Sequence, residues 1–154
     1  MSLDVTAEED AILARLRAYL WSGRVYPELV DESKLARDPN TGLVLPYIIL
    51  SFGTIFASGE DQSLEGAAEQ PHILPFVAEC WGPTRNDARA GANGVIRTLT
   101  GWHPSESNAS EITLSGGAGG FTSYDQGRPV RFMRPVSGSC VVNMSIHDDS
   151  LTMP

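Results

Sequence analysis

The run from Ile73 to Trp81 constrains the fold more than any other part of the sequence. Apart from Glu79, its side chains are apolar at both alternating sets of positions. A strand that is apolar on both faces is typical of the middle of a sheet, where other elements cover each side. The chain therefore needs further strands to flank this segment and other elements to cover it.

Extended segments that precede this run predict two of the flanking strands. Val25-Tyr26-Pro27 is a short piece that Pro27 places at a sheet edge, because proline cannot donate to a ladder. The apolar stretch from Leu43 to Phe56 predicts a long strand that starts near Tyr47 and bends at Gly53. We expect both segments to be strands of the same sheet as the central run.

The last third of the chain predicts three more strands. Glu111 to Leu114 is short, and the glycine run that follows it is a turn or hinge. Val130 to Arg134 and Cys140 to Ile146 each alternate in polarity with a period of two, as half-buried antiparallel strands do. We therefore expect these two segments to form a final hairpin.

Two helices are predicted from their caps and their apolar stripes. Thr6 and Glu9 have the spacing of a capping box, and Gly23 is expected to stop the helix that follows. Thr84 is expected to cap the second helix and Gly101 to end it. The two stripes consist of Ile12, Leu13, Leu16 and Leu20 in the first helix and Ala88, Ala92, Val95, Ile96 and Leu99 in the second.

The order of these elements predicts an α+β fold: a mixed, mainly antiparallel β-sheet packed with two α-helices. A length of 154 residues fits a single domain over 1–154, with about 1–5 and 147–154 flexible. Gly91 and Gly94 within the second helix indicate a close approach to a strand or to a neighbouring subunit.

The charge of the chain excludes two classes of partner. Nineteen acids against eleven bases give a net charge of -8. Tight binding to DNA or RNA needs a basic face that neutralises phosphates, and docking on anionic lipid needs clustered Lys and Arg. We expect neither. One stretch holds four acids and no base: Glu60, Asp61, Glu65 and Glu69.

No arrangement of reactive residues predicts catalysis, a cofactor or a metal ion. The chain has no nucleophile elbow, and the glycine run after Ser115 lacks the Gly-Lys-Ser/Thr of a phosphate-binding loop. His147-Asp148-Asp149 contains metal-ligand residue types, but a solvated tail is the preferred interpretation. Cys80 and Cys140 lack CxxC spacing and are expected as buried thiols, with a disulfide as the alternative. We therefore expect a protein that is not an enzyme.

The N-terminus carries no recognisable targeting segment. Its first residues are acidic where a signal peptide would be basic. The longest apolar stretch, Leu43 to Phe56, falls short of the ~20 residues that a membrane span requires. We expect synthesis in the cytoplasm and no membrane partner.

Several short motifs together resemble the tail terminator, or tail completion, proteins of long flexible-tailed phages. The motifs are Arg24-Val25-Tyr26-Pro27, Leu45-Pro46-Tyr47-Ile48-Ile49, Val77-Ala78-Glu79-Cys80-Trp81-Gly82, the helix opening at Thr84, Asp87 and Ala88, Leu99-Thr100-Gly101, and the closing strand Cys140 to Ile146. The resemblance spans Ala11 to Ile146 in the family's order. The segments 31–42 and 116–138 are longer than the family leads us to expect.

This resemblance implies a structural role in a virion and carries over no catalytic residue. Such proteins form hexameric rings that cap the growing tail tube, stop its polymerisation and present a docking face to the head-completion protein. The implied partners are copies of the same chain, the tail tube protein and the head-completion or connector protein. Genome DNA would pass through the ring without specific binding. The implied location is the virion tail, assembled in the bacterial host cytoplasm.

Two groups of charged residues are candidate contact sites under this resemblance. We expect Glu60, Asp61, Glu65 and Glu69 to face the channel or an axial partner, because an acidic lumen repels DNA phosphates. Arg128, Arg131 and Arg134 are expected to form a basic patch at a subunit or partner contact. The alternative functions are a tail tube subunit or a head–tail connector, and then an unrecognised small enzyme.

Overall fold

A computed structural model of the chain shows a mixed sheet with two helices on one of its faces. The structure describes residues 5–21, 23–27, 30–57, 71–115, 121–123 and 130–143. The helices are α1 (Thr6–Tyr19) and α2 (Arg85–Leu99), and a short 3₁₀ helix covers Glu32–Lys34. The strands are β1 (Val25–Tyr26), β2 (Tyr47–Phe52), β3 (Phe56–Ala57), β4 (Pro71–Gly82), β5 (Thr113–Ser115), β6 (Phe121–Ser123) and β7 (Arg131–Asn143).

β4 and β7 form the centre of the sheet. They run antiparallel and pair over the whole length of β4, from Pro71↔Asn143 to Gly82↔Phe132. β2 and β3 pair with the other side of β4, and β1 lies parallel to β2 at the edge. β5 and β6 both pair with the free side of β7. The predicted fold class, the central position of β4 and the edge position of β1 are therefore confirmed.

The predicted C-terminal hairpin is wrong, because its two segments belong to one continuous strand, β7. Pro135 and Gly138 resemble turn residues in the sequence, yet both lie inside this strand. Pro135 lies opposite the gap between β5 and β6, where no described strand requires its N–H. A Cβ at Gly138 would lie 2.5 Å from Phe76 Cζ and 2.7 Å from Leu114 Cδ2. Gly138 therefore makes room for core side chains and does not form a turn.

Helix α2 has the boundaries that its sequence predicts. Thr84 Oγ1 accepts a hydrogen bond from the Asp87 N–H at 3.1 Å, which confirms the N-cap. Gly101 follows the last turn with a φ of 74°, the left-handed conformation that favours glycine. A Cβ at Gly91 would lie 3.2 Å from Cys80 Cβ in β4, so the predicted close approach to a strand is confirmed.

Both predicted ends of helix α1 are wrong. The Glu9 N–H donates to the Val5 carbonyl at 2.9 Å, so the N-cap is Val5 and Thr6 is already helical. Val5 itself is buried in the core. At the other end the helix stops at Tyr19, and the φ of Gly23 is not positive.

The early end of α1 follows from its packing on α2. Leu20 and Trp21 leave the helix and lie against two glycines of α2. A Cβ at Gly94 would lie 2.5 Å from Leu20 Cδ2, and a Cβ at Gly91 would lie 3.3 Å from Trp21 Cη2. Tertiary contact between the helices therefore overrides the local glycine stop signal.

The two faces of the sheet are unlike, and we call them the helix face and the outer face. On β4, the buried helix face consists of Leu74, Phe76, Ala78 and Cys80, and the half-buried outer face of Ile73, Pro75, Val77, Glu79 and Trp81. Both helices pack on the helix face, where α1 contributes Ile12 and Leu16 and α2 contributes Val95 and Leu99 to the main core. That core therefore lies between the sheet and the helices.

The segment between β1 and β2 covers one end of the outer face. Leu35 and Val44 are buried there against Tyr47 and Ile49. Gly42, with a φ of 71°, permits the turn that precedes Val44. The segment 31–42 thus contributes Leu35 to a second, smaller apolar cluster.

Candidate functional site

A one-residue bulge separates β2 from β3 and changes the face on which the next aromatic residue lies. Phe52 pairs with Phe76, and Phe56 pairs with Ile73, so the chain advances by four residues where β4 advances by three. Without the extra residue, Phe56 would lie on the helix face, as Phe52 does. The bulge places Phe56 on the outer face, where it is 51% exposed.

Pro75 in β4 explains the position of this bulge. The Gly53 N–H donates to the Pro75 carbonyl at 2.9 Å, but Pro75 has no N–H to return the bond, so the ladder is interrupted there. A Cβ at Gly53 would lie 2.8 Å from Pro75 Cγ, a contact that requires a shift of one of the two residues. The bend predicted at Gly53 is therefore confirmed.

The bulge completes an exposed apolar row, which we call the outer-face row. Phe56, Ile73 and Val141 lie side by side on β3, β4 and β7. Ile73 is half-buried and Val141 is 39% exposed. No other described strand pairs with the free edge of β3. The row therefore starts at one edge of the described sheet.

A groove of about 550 Å³, which we call the α2 groove, lies on the helix face at the opposite edge of the sheet. It runs between α2, the segment that leads into β5, and β7. The buried residues that line it are Ala92, Ile112 and Val136. The exposed side chains that line it include Ile96, Glu111 and Arg134. The groove thus has an apolar floor and one charge of each sign at the rim.

Ile96 does not belong to the buried stripe of α2, so that part of the helix prediction is wrong. The buried side of α2 runs through Ala88, Ala92, Val95 and Leu99. Ile96 lies next to this stripe, is 44% exposed and lines the α2 groove. An apolar residue at helical spacing is here partly exposed, because it faces the groove and not the core.

The structure does not bring Arg131 and Arg134 together in one patch. Arg131 and Arg134 are three positions apart in β7, so their side chains leave the sheet on opposite faces. Arg131 lies on the outer face, where its Nη1 donates to Tyr47 Oη at 3.4 Å. Arg134 lines the α2 groove. Arg128 lies outside the described residues, and the role of all three in contacts stays a prediction.

The acidic candidates Glu60, Asp61, Glu65 and Glu69 also lie outside the described residues. The flanking residues Ala57 and Pro71 are described, and both lie at the end of the sheet that carries the outer-face row.

Several other arginines serve the fold itself. Arg15 Nε donates to the Thr98 carbonyl at 3.1 Å, and Arg17 Nε donates to the Val25 carbonyl at 3.1 Å. The Arg15 guanidinium also lies 4.4 Å from the centre of the exposed Tyr19 ring. The arginine-rich composition therefore reflects internal contacts as well as surface charge.

A buried polar pair closes one end of the helix face. Asn108 Nδ2 donates to Glu8 Oε1 at 2.9 Å, and the two residues are 4% and 2% exposed. The bond ties the start of α1 to the segment that follows α2, and we assign it a structural role.

The two cysteines are buried free thiols, as the first interpretation of the sequence predicted. Burial, reinforced by the Glu79 charge, raises the pKa of Cys80 to about 12. Burial, reinforced by the Glu8 charge, raises the pKa of Cys140 to about 11. Because the thiolate is the nucleophile, neither residue is suited to nucleophilic chemistry near neutral pH.

Within the described part of the chain, no group of three or more His, Cys, Asp or Glu side chains is placed to hold a metal ion. His147-Asp148-Asp149 lies outside that part. Neither described helix has the length and apolar character to cross a membrane.

Comparison with known proteins shows a likeness of fold. No family model and no curated protein matches the sequence. A solved chain of similar fold occurs in a structure described as the virion of a native gene transfer agent particle. The TM-score is 0.53 at 16% sequence identity, over 88% of this chain and 93% of that chain. The two chains share a fold.

Proposed function

We propose that this chain is a structural virion protein that forms a hexameric ring at the end of a tail tube. There it ends tube polymerisation and presents the docking face for the head. The observation that carries this proposal is the fold likeness to a chain of a virion particle, because it extends over nearly the whole of both chains.

The distribution of apolar surface supports assembly from identical copies. The outer-face row and the α2 groove lie on opposite faces and at opposite edges of the sheet. A closed ring needs two different surfaces of this kind, because each subunit contacts its neighbours head to tail. Arg131 and Arg134, on opposite faces, would then take part in contacts on different sides of the subunit.

The proposed partners are further copies of the chain, the tail tube protein and the head-completion or connector protein. The proposed location is the virion tail, after assembly in the bacterial cytoplasm. Genome DNA would pass through the ring unbound. We keep Glu60, Asp61, Glu65 and Glu69 as residues that face the channel or a partner, because like charge repels the phosphates.

Electron microscopy of the purified chain, together with its mass in solution, tests the ring. Six-fold rings support the terminator, whereas long cylinders would identify a tube subunit. A second measurement adds the chain to polymerising tail tube protein. A terminator shortens the tubes and lies at one end of each, and a connector leaves tube length unchanged and binds heads.

A charge reversal gives this test a matched control. Arg134→Glu at the α2 groove is expected to weaken ring assembly by about tenfold or more. Arg89→Glu changes an exposed arginine of α2 that does not line the groove, and it should leave assembly unchanged. Equal effects of the two variants would indicate that only net charge matters.

A further inference from the structure

The bulge at Gly53 places the aromatic side chain of Phe56 in the outer-face row, outside the core. Phe52, before the bulge, packs against the core, with its ring centre 6.2 Å from that of Phe76. Phe56, after the bulge, is 51% exposed at the edge strand β3. A phenylalanine buries 150–250 Å² when it is covered, so exposing it forgoes a large stabilisation. Its position therefore indicates a contact outside the subunit.

The α2 groove has the shape and chemistry to receive such a side chain. Its volume of about 550 Å³ exceeds that of a single aromatic ring, and its lining includes the buried residues Ala92, Ile112 and Val136. Ile96, the exposed apolar residue of α2, extends this apolar surface at the rim. Ring-in-groove packing of this kind is typical of the centre of stable interfaces.

Charge favours the same pairing. Arg134 and Glu111 stand at the groove rim, and Arg97, which follows Ile96 in α2, is exposed. The 13 residues between β3 and β4 contain four acids and no base. This acidic segment follows β3 directly in sequence, and its charge is opposite in sign to that of Arg134 and Arg97.

We infer that the occupant of the α2 groove is a second copy of this chain, which inserts Phe56 at its β3 edge. The contact is head to tail, since the two surfaces lie at opposite edges of the sheet, and its repetition closes a ring. This inference rests on the proposed ring and specifies its subunit interface.

Cross-linking of introduced cysteines tests the contact, because both native thiols are buried. Phe56→Cys and Ile96→Cys are prepared separately in the full-length chain, mixed, and treated with a short thiol cross-linker. The mixture is expected to give a covalent dimer, and either variant alone is expected to give none. Tyr19→Cys, at a residue 65% exposed on α1, replaces Ile96→Cys as the control and should give no dimer with Phe56→Cys.

A second variant measures the strength of the contact. Phe56→Ser is expected to weaken association by about tenfold to a hundredfold, because it removes the aromatic anchor and leaves the core untouched. Tyr19→Ser removes an aromatic residue that is more exposed than Phe56 and is expected to leave association unchanged. Higher salt should weaken association of the unmodified chain, as the charge pairing requires.

The results of these experiments can contradict the proposed subunit interface and the proposed terminator function independently of each other. Rings without the mixed cross-link would overturn the interface and leave the terminator proposal standing. The mixed cross-link in long filaments would support the interface and contradict the terminator. A chain that remains monomeric at the highest concentration reached, or single variants that cross-link to themselves, would overturn the interface.

Discussion

The helix face and the outer face belong to the same sheet but are covered in different ways. On the helix face, the central residues of β4 are buried beneath two helices. On the outer face, the described residues form a buried cluster at the end near Tyr47 and Ile49, and Phe56 and Val141 are exposed. Burial on the helix face therefore specifies the fold, whereas apolar side chains of the outer face are left exposed.

The largest expected difference between the two faces is in stability, and it is tested with two adjacent residues that lie on opposite faces. Leu74→Ala, on the helix face, is expected to lower the free energy of unfolding by about 2–5 kcal/mol, because it leaves a cavity in the core. Ile73→Ala, on the half-buried outer face, is expected to cost about 1 kcal/mol. Urea unfolding of both variants measures the difference. Equal costs would contradict the distinction between the faces.

A second test concerns the space beneath the helix face. Gly138→Ala is expected to destabilise the chain by about 1–3 kcal/mol, since its Cβ would lie within 2.7 Å of both Phe76 Cζ and Leu114 Cδ2. Gly23→Ala is the control, because a Cβ there meets nothing within 4 Å and its φ is not positive. Thermal unfolding that shows no loss for Gly138→Ala would mean that the two core side chains move aside freely.

A third test concerns the polar pair at the end of the helix face. Asn108→Ala removes the donor to the buried Glu8 carboxyl group and is expected to cost about 1–3 kcal/mol. The exposed neighbour Ser107→Ala should change stability by less than about 0.5 kcal/mol. Chemical unfolding compares the two, and a neutral Asn108→Ala would show that the bond contributes nothing net.

The smallest expected difference between the two faces is in the reactivity of cysteine thiols. At pH 8, Cys140 in the native chain is expected not to react with a thiol reagent, whereas a cysteine introduced by Val141→Cys on the outer face reacts readily. Because burial raises the pKa of Cys140 from 9.0 to about 11, the unfolded chain ionises first as pH rises. The stability due to the neutral thiol is therefore present below pH 9 and declines toward pH 11. Rapid labelling of Cys140 in the folded chain at pH 8 would contradict this.

Local signals predicted those elements whose ends are decided locally. Thr84 and Gly101 define α2 because a cap and a left-handed glycine act within one turn of the helix. Pro135 and Gly138 locally resemble turn residues but lie inside a strand, because neighbouring strands distant in sequence decide whether each residue is tolerated there. Pro135 is tolerated because it faces a gap between two strands, and Gly138 is required by Phe76.

The candidate site was less predictable than the fold for the same reason. Three segments far apart in sequence form the α2 groove, and Ile96 matches the helical period of the core so well that its exposure could not be foreseen. The exposure of Phe56 depends on a one-residue bulge set by Pro75 on another strand. Of the predicted contact residues, Arg134 lines the groove, and Arg131 lies on the other face.

The long pairing of β4 with β7 has a mechanical consequence. Twelve successive residue pairs join these strands, whereas two pairs join β1 to β2. A force directed along the strands loads the twelve-pair ladder in shear, so its hydrogen bonds share the load. A force directed across the sheet peels the short edge strand first. A subunit held by its central strands therefore resists tension best along the strand axis and yields most easily at its β1 edge.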